Sequence, residues 1–355
     1  MTPEIHAMGT RIRIGLIALL CLAGPGGLRS EGARTSENHA GLRKLLERRP
    51  GLDRNRDGML TENEVRASRR ERGRKKRPYR VPPTHRDVCY GEHESMVLDF
   101  WEAASDRPAP LFVWFHGGGF RGGDKSGIPR ELMERLLESG VSVASVNYRL
   151  THLGPYPQPM EDSARAIQFL RSRAEEWAID PRRVAAGGGS AGSGIAQWLG
   201  FHDDLADPAS SDPIERQSTR LSCVLAYNMQ STYDPRVIRE IIPGMTGRHD
   251  ALPAFYGLPE NWSLDTARIT PEQDALFKDA SPVTHLDAGD PPVFSFHFEK
   301  QSVPGNIHHS NFGRYLEKKA EKVGVECVRR MDRDYKNHEA AFDAIAAFIK
   351  QHLDV

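Results

Sequence analysis

From Tyr79 onward, short runs rich in β-branched and aromatic residues alternate with stretches of helical periodicity. Strands are expected over 96–101, 111–115, 141–147, 183–186, 221–227, 293–298 and 325–330. One intervening helix places Ala164, Ile167, Leu170, Ala174 and Trp177 at three- and four-residue steps; the last does the same with Phe342, Ile345, Ile349 and Leu353. A strand–helix alternation of this kind has one compact solution. It is an α/β fold, a mostly parallel central sheet with helices on both faces. Chemistry in such sheets gathers where strands end and loops begin, so the residues just after each strand carry the most information.

Two of those positions are rich in glycine. After the strand RVAAG comes Gly188-Gly189-Ser190-Ala191-Gly192, followed by a helical run over 193–201. The G-x-S-x-G spacing between strand and helix permits a turn too tight for side chains and lifts a serine hydroxyl above the sheet. The helix that follows aims its N-terminus at that hydroxyl and favours negative charge there. Ser190 is therefore the candidate nucleophile; the bland alternative is a flexible glycine loop. After the strand LFVWF comes His116-Gly117-Gly118-Gly119-Phe120. Glycines there let backbone amides approach a substrate, so Gly118, Gly119 and Ala191 are the candidate oxyanion donors. His116 precedes the donor loop and reads as structural. A phosphate cradle is disfavoured, because no Lys-Ser/Thr pair follows at the required spacing.

The front of the chain is a separate matter. Arg11 and Arg13 precede the apolar run Ile14–Leu22 and the small residues AGPGG, the pattern of an export signal over 1–29. A lipid anchor at Cys21 is the sharper alternative, disfavoured by Leu20 just before it. Residues 53–64, DRNRDGMLTENE, resemble an EF-hand calcium loop. Asp53, Asn55, Asp57, Met59, Thr61 and Glu64 stand at its ligand positions, Gly58 at its sharp turn and Leu60 at its inward apolar position. This makes 30–68 an EF-hand-like helical segment with a calcium site as its expected cofactor; the alternative is a solvated acidic turn. No second loop pairs with it, and Pro50 interrupts the incoming helix of Leu42, Leu45 and Leu46. The basic run RRERGRKKRPYR over 69–80 reads as a linker, leaving 81–355 as the main domain.

Composition removes other classes. Lys+Arg and Asp+Glu are equal at 48 each, which gives no support to a nucleic-acid binder. A mean hydropathy of -0.54 is too polar for a multi-span membrane protein, and the N-terminal apolar run is too short for a permanent span. The four cysteines, Cys21, Cys89, Cys223 and Cys327, have no C-x-x-C spacing, so neither a zinc site nor a disulfide framework is expected from them.

Taken in order, HGGGF at 116–120, VNYRL at 146–150, IDPRRV at 179–184, GGSAG at 188–192 and SPVTHLDAGDPPVF at 281–294 resemble the α/β-hydrolase serine esterases. Among these, the hormone-sensitive-lipase-like and feruloyl-esterase-like carboxylesterases are most similar, over about residues 86–353. The resemblance implies a triad in the chain order serine, acid, histidine. It implies a general base between the last strand and the last helix, which is His338 in this chain. His308 and His309 are rivals, lying before a helix rather than after the last strand. The acid is expected just past the strand at 293–298, but HFEKQSVPGN contains no Asp; Glu299 is the first candidate and Asp234 the second. Asp332 and Asp334 lie near His338 but not at a favoured strand end. Asp162 is expected to cap or pair its own helix. The stretch 203–290, with Phe255, Tyr256 and Trp262, reads either as a cap over the pocket or as a surface insertion. The expected activity is hydrolysis of short-chain or carbohydrate-linked esters through an acyl-enzyme, with small-molecule or carbohydrate esters as the partners. A non-catalytic or weakly active binding protein, motivated by the missing Asp, and a prolyl-oligopeptidase-like peptidase are the alternatives.

Overall fold

The computed structural model describes residues 35–37, 40–53, 58–61, 65, 81–246, 251–265 and 268–355. The expected signal at 1–29 and linker at 69–80 lie outside them, as do Asn55, Asp57 and Glu64. Two compact units divide at residues 74 and 75.

In the first unit, α1 (Ala40–Arg48) ends before Pro50, which opens a short 3-10 turn. Leu42, Leu52, Leu60 and Val65 are buried together, with Leu45 and Leu46 against them. Leu60 is tied to Ser36 twice: its carbonyl accepts from the Ser36 amide at 2.8 Å, and its amide donates to Ser36 Oγ at 2.9 Å.

The second unit is built on eight strands: β1 (His85–Cys89), β2 (Val97–Trp101), β3 (Ala109–Phe115), β4 (Ser142–Val146), β5 (Ile179–Gly189), β6 (Val224–Tyr227), β7 (Val293–His297) and β8 (Cys327–Met331). They hydrogen-bond in the order β1-β2-β4-β3-β5-β6-β7-β8, parallel throughout except for the antiparallel pairs β1–β2 and β2–β4. All seven expected strands are present. The unexpected one, β1, reads HRDVC and lies at the sheet edge; a polar, half-exposed strand carries no hydrophobic alternation to betray it.

The helices are α2 (Arg130–Glu138), α3 (Gln158–Ser172), α4 (Ala191–Phe201), α5 (Pro235–Ile241), α6 (Leu252–Tyr256), α7 (Pro271–Asp279), α8 (Pro282–His285), α9 (Asn311–Val323) and α10 (His338–His352). Alternation along β3 shows how the sheet is covered. Leu111, Val113 and Phe115 face a core shared with Ile167 and Leu170 of α3 and with Ile195 and Leu199 of α4. Phe112 and Trp114 face the opposite core, shared with Leu132 and Leu136 of α2 and with Phe342 and Ile345 of α10. Every residue of β3 is buried, as a central parallel strand requires.

The stretch 203–290 is mostly not a loose insertion. Phe255 is fully buried and stacks on Phe120 at 4.4 Å, while Tyr256 and Trp262 both pack on Phe277. Asp162, buried in α3, pairs with Arg149 just past β4: both carboxylate oxygens accept from its guanidinium, at 2.5–3.1 Å, and one also accepts its amide at 2.9 Å. Cys89, Cys223 and Cys327 are free thiols. Among the described residues, no helix is long and apolar enough to cross a membrane.

Candidate active site

Ser190 stands between β5 and α4 with φ 52° and ψ −118°, a conformation that a residue with a side chain adopts only under constraint. The constraint is a pair of glycines. A Cβ on Gly188 would lie 2.2 Å from the Gly192 carbonyl carbon, and one on Gly192 would lie 2.0 Å from the Phe115 carbonyl oxygen. Only hydrogen fits at either place, so strand and helix close tightly and the serine is pushed outward. Its amide is held by the Tyr227 carbonyl at 3.0 Å.

The glycine loop after β3 faces this turn. Gly118, Gly119 and Phe120 take φ of 121°, 61° and 57° in succession, which turns the chain back on itself. A Cβ on Gly117 would come 2.6 Å from the Gly189 carbonyl oxygen, so the two loops touch backbone to backbone. Among the described residues, no protein acceptor takes the amides of Gly118 or Gly119, and Ala191, first in α4, has no intrahelical acceptor. His116 is buried beneath them: its Nδ1 donates to the Gly117 carbonyl at 2.8 Å, its carbonyl accepts from Tyr148 OH at 2.7 Å, and the two rings stack at 4.4 Å.

The histidine at the serine is not the one expected. His308 Nε2 lies 2.8 Å from Ser190 Oγ. His338, exposed in the first turn of α10, instead meets Tyr227 OH at 3.0 Å and packs edge-on against Phe342. The two loops differ in origin and length. β7 lies two strands from β5, about 10 Å, whereas β8 lies three strands away, about 14 Å. Thirteen residues separate β7 from α9, but only six separate β8 from α10. The longer loop from the nearer strand reaches the serine, and the shorter one feeds directly into its helix. The His308 loop is pinned on both sides of the ring: Gln230 Nε2 donates to the Ile307 carbonyl at 2.8 Å, and Asn306 Oδ1 accepts the His308 amide at 2.8 Å. Burial pushes the His308 imidazole below its ordinary value, so the neutral, proton-accepting form is favoured.

Neither acid candidate approaches this ring. Glu299 is exposed, with Oε1 2.5 Å from Arg333 Nη1. Asp234 caps α5 by accepting the Arg236 amide at 2.9 Å, and its two oxygens pair with the same arginine's guanidinium. Asp332 accepts the Glu299 and Arg333 amides, and Asp334 accepts the Met331 amide. Among the described residues no carboxylate hydrogen-bonds His308. Two further histidines, His297 and His309, lie close by. One of them, His297, is fully buried on β7 and is pushed down to about 3, first by burial and then by Arg329 and its neighbouring histidines.

An apolar cleft opens at Ser190, walled by Phe120, Ile238, Leu252, Phe255 and Phe312. Its cavity volume is about 30 Å³. At the first unit's loop, Asp53 Oδ2 accepts the Gly58 amide at 2.9 Å while Oδ1 is buried and, among the described residues, has no hydrogen-bond partner. Thr61 forms an isolated antiparallel bridge with Thr35, and Met59 is also among the described residues.

A strand–turn–helix serine under a histidine, on an eight-stranded sheet of this order, defines a protein of the α/β-hydrolase class. Residues 98–311 match the BD-FAE family, and the chain belongs to it. The matched span contains Gly118, Ser190 and His308 and ends before His338. Among curated proteins of Mycobacterium tuberculosis, a probable carboxylic ester hydrolase, LipM, is 29% identical over 61% of this chain and 48% of its own length. Esterase LipQ is 27% identical over 77% of this chain and 62% of its own. The chain thus spans about half to three-fifths of these relatives. Among solved structures, an acetyl ester-xyloside bifunctional hydrolase from Caldicellulosiruptor lactoaceticus superposes with a TM-score of 0.58 at 21% identity, covering 72% of this chain and 88% of that one. Esterase Est2 of Thermogutta terrifontis gives 0.57 at 20% identity, covering 79% and 96%. At these identities the likeness is one of fold.

Proposed function

We propose that this chain is a serine carboxylesterase acting on esters of short acids. The observation that carries the reading is the 2.8 Å contact between Ser190 Oγ and His308 Nε2 at a strained strand–helix turn. In this reading His308 takes the serine proton as Oγ attacks the ester carbonyl. The amides of Gly118, Gly119 and Ala191 hold the tetrahedral oxyanion. The alcohol leaves with the proton carried by His308, and a water activated by the same ring then releases the acid from the acyl-serine. The small apolar cleft supports a short acyl group. In this reading a hydroxyl-rich alcohol such as a sugar would extend toward the polar hollow lined by Ser302, His309, Asn311, Arg314 and the Glu299–Arg333 pair. The carbohydrate esterase and acetyl ester-xyloside hydrolase among the structural neighbours are consistent with that choice.

The test is a series of p-nitrophenyl esters. Acetate and propionate are expected to be cleaved with kcat/KM at least about tenfold above octanoate, because each surplus methylene meets a closed wall. Ser190→Ala is expected to abolish turnover. Undiminished hydrolysis by Ser190→Ala would sink the reading. In the same assay the acidic limb of kcat/KM is expected below pH 6.5, the ordinary histidine value, because a base whose pKa is lowered stays unprotonated to lower pH. An acidic limb at or above pH 7 would contradict that. The absence of a carboxylate at His308 among the described residues favours a second reading, a weakly active or non-catalytic binding protein. Failure of fluorophosphonate to form an adduct with folded wild-type protein would support it.

We further propose that residues 1–29 direct export, and that Asp53, Asn55, Asp57, Met59, Thr61 and Glu64 bind calcium. The buried Asp53 Oδ1, without a partner among the described residues, supports the second point. Calcium is then expected to raise the melting temperature of the wild type and not that of Asp53→Ala; an equal response in both would count against it.

A further inference from the structure

The far end of the nucleophile helix carries a second cluster that the ester chemistry leaves unused. His202 follows α4 directly, Asp279 ends α7, and His285 ends α8. One ring nitrogen from each histidine and one carboxylate oxygen of Asp279 lie within 4.8 Å of one another. The three residues come from separate elements, and the rings of His202 and His285 are 4.7 Å apart.

The hydrogen bonds around the cluster define its chemistry. His202 Nδ1 lies 3.1 Å from the Asp203 carbonyl, and His285 Nε2 lies 2.6 Å from the Asp279 carbonyl. A carbonyl only accepts, so each of these nitrogens carries the ring proton and the other nitrogen of each ring bears a lone pair. Asp279 Oδ2 accepts from Tyr156 OH at 2.6 Å, which leaves its Oδ1 as the remaining acceptor. Each of the three residues thus keeps an acceptor, an imidazole lone pair or a carboxylate oxygen, and is held by a hydrogen bond through another of its atoms. That is the arrangement in which metal ligands are held: the outer bond fixes the tautomer and raises the basicity of the ligand. Trp198 supports the group from below, with its ring 4.4 Å from that of His202 and its Nε1 donating to the Asp279 carbonyl at 3.1 Å. The C-terminal end of α4 adds a field that favours a cation.

We propose that His202, Asp279 and His285 bind one divalent transition-metal ion of the zinc class. Two nitrogens and one oxygen suit such an ion and leave a fourth position for water. Bonds of about 2.0–2.2 Å in a tetrahedral shell set the ligand atoms roughly 3.4 Å apart, so the side chains close in from separations of up to 4.8 Å. The site lies about 18 Å along α4 from Ser190, at 1.5 Å per residue, so the ion would clamp α4 to α7 and α8 rather than take part in ester cleavage.

The experiment uses the full chain, stripped with a chelator and titrated with Zn²⁺ by calorimetry and with Co²⁺ by visible absorption. The expected result is a site of one equivalent that includes nitrogen ligands by the cobalt spectrum, with a zinc-dependent rise of several degrees in melting temperature. His285→Gln and Asp279→Asn should each weaken that site at least tenfold, while p-nitrophenyl acetate turnover stays unchanged with and without metal. Circular dichroism of both variants reports whether they fold. If either misfolds, His202→Gln and the wild-type cobalt spectrum carry the test. No zinc binding by the wild type, or binding that persists unweakened in folded His285→Gln, would overturn the proposal.

Discussion

Replacing His308 by Ala is expected to lower kcat/KM for p-nitrophenyl acetate by about 10²–10⁴-fold, the range a positioned general base contributes. Replacing His338 by Ala is expected to leave it within about twofold. The two variants separate the geometry seen here from the chain order that the family resemblance implies. His308 sits 2.8 Å from the nucleophile, and its loop is tied down by Gln230 and Asn306. His338 meets Tyr227 OH and the rings of Phe298 and Phe342 instead. Its loss removes a surface ring and one hydrogen bond at an exposed site, which is worth little to stability. If His338→Ala were the inactive variant and His308→Ala the active one, the loop after β8 would have to reach the serine in the working enzyme.

The second large effect concerns the fold. Arg149→Met is expected to destabilise the main domain by about 3 kcal/mol, because it leaves the buried Asp162 carboxylate without a counter-charge, held only by the residue-149 amide and Gln158 Nε2. For a domain of this size that is on the order of 10 °C in melting temperature. The double variant Arg149→Met with Asp162→Leu should recover part of the loss, since much of the penalty comes from the orphaned charge rather than from the missing pair. A single variant that melts like the wild type in a thermal scan would show that water or another cation replaces the guanidinium at no cost.

Much of this fold was legible in the chain, for a physical reason. Strands buried on both faces, such as β3 and β4, are near-continuous apolar runs, and the glycine spacings at 117–119 and 188–192 are demanded by backbone contacts shorter than any side chain allows. What was not legible depends on relations between distant elements. β1 is polar and gains its place only by pairing with β2. The identity of the base turns on how far each loop must travel across the sheet, which residue types do not encode. One clue was available: the segment after β7 lacks the expected Asp, carries two adjacent histidines and is twice as long as the one after β8. Glu299 had the expected charge at the expected strand end, but Arg333 holds it at the surface. Among the described residues no carboxylate reaches His308, which leaves a serine–histidine pair. A lone pair of this kind is expected to be slower than a full triad, since in a comparable hydrolase removing the acid alone costs roughly 10⁴-fold in turnover.

The most direct test of the pairing follows the nucleophile itself. Intact-protein mass spectrometry of the wild type, His308→Ala and His338→Ala during reaction with a fluorophosphonate gives the rate of adduct formation at Ser190 in each. Ser190 paired with His308 predicts equal rates for the wild type and His338→Ala, with labelling slowed at least a hundredfold in His308→Ala. Fast labelling in His308→Ala together with slow labelling in His338→Ala would contradict it.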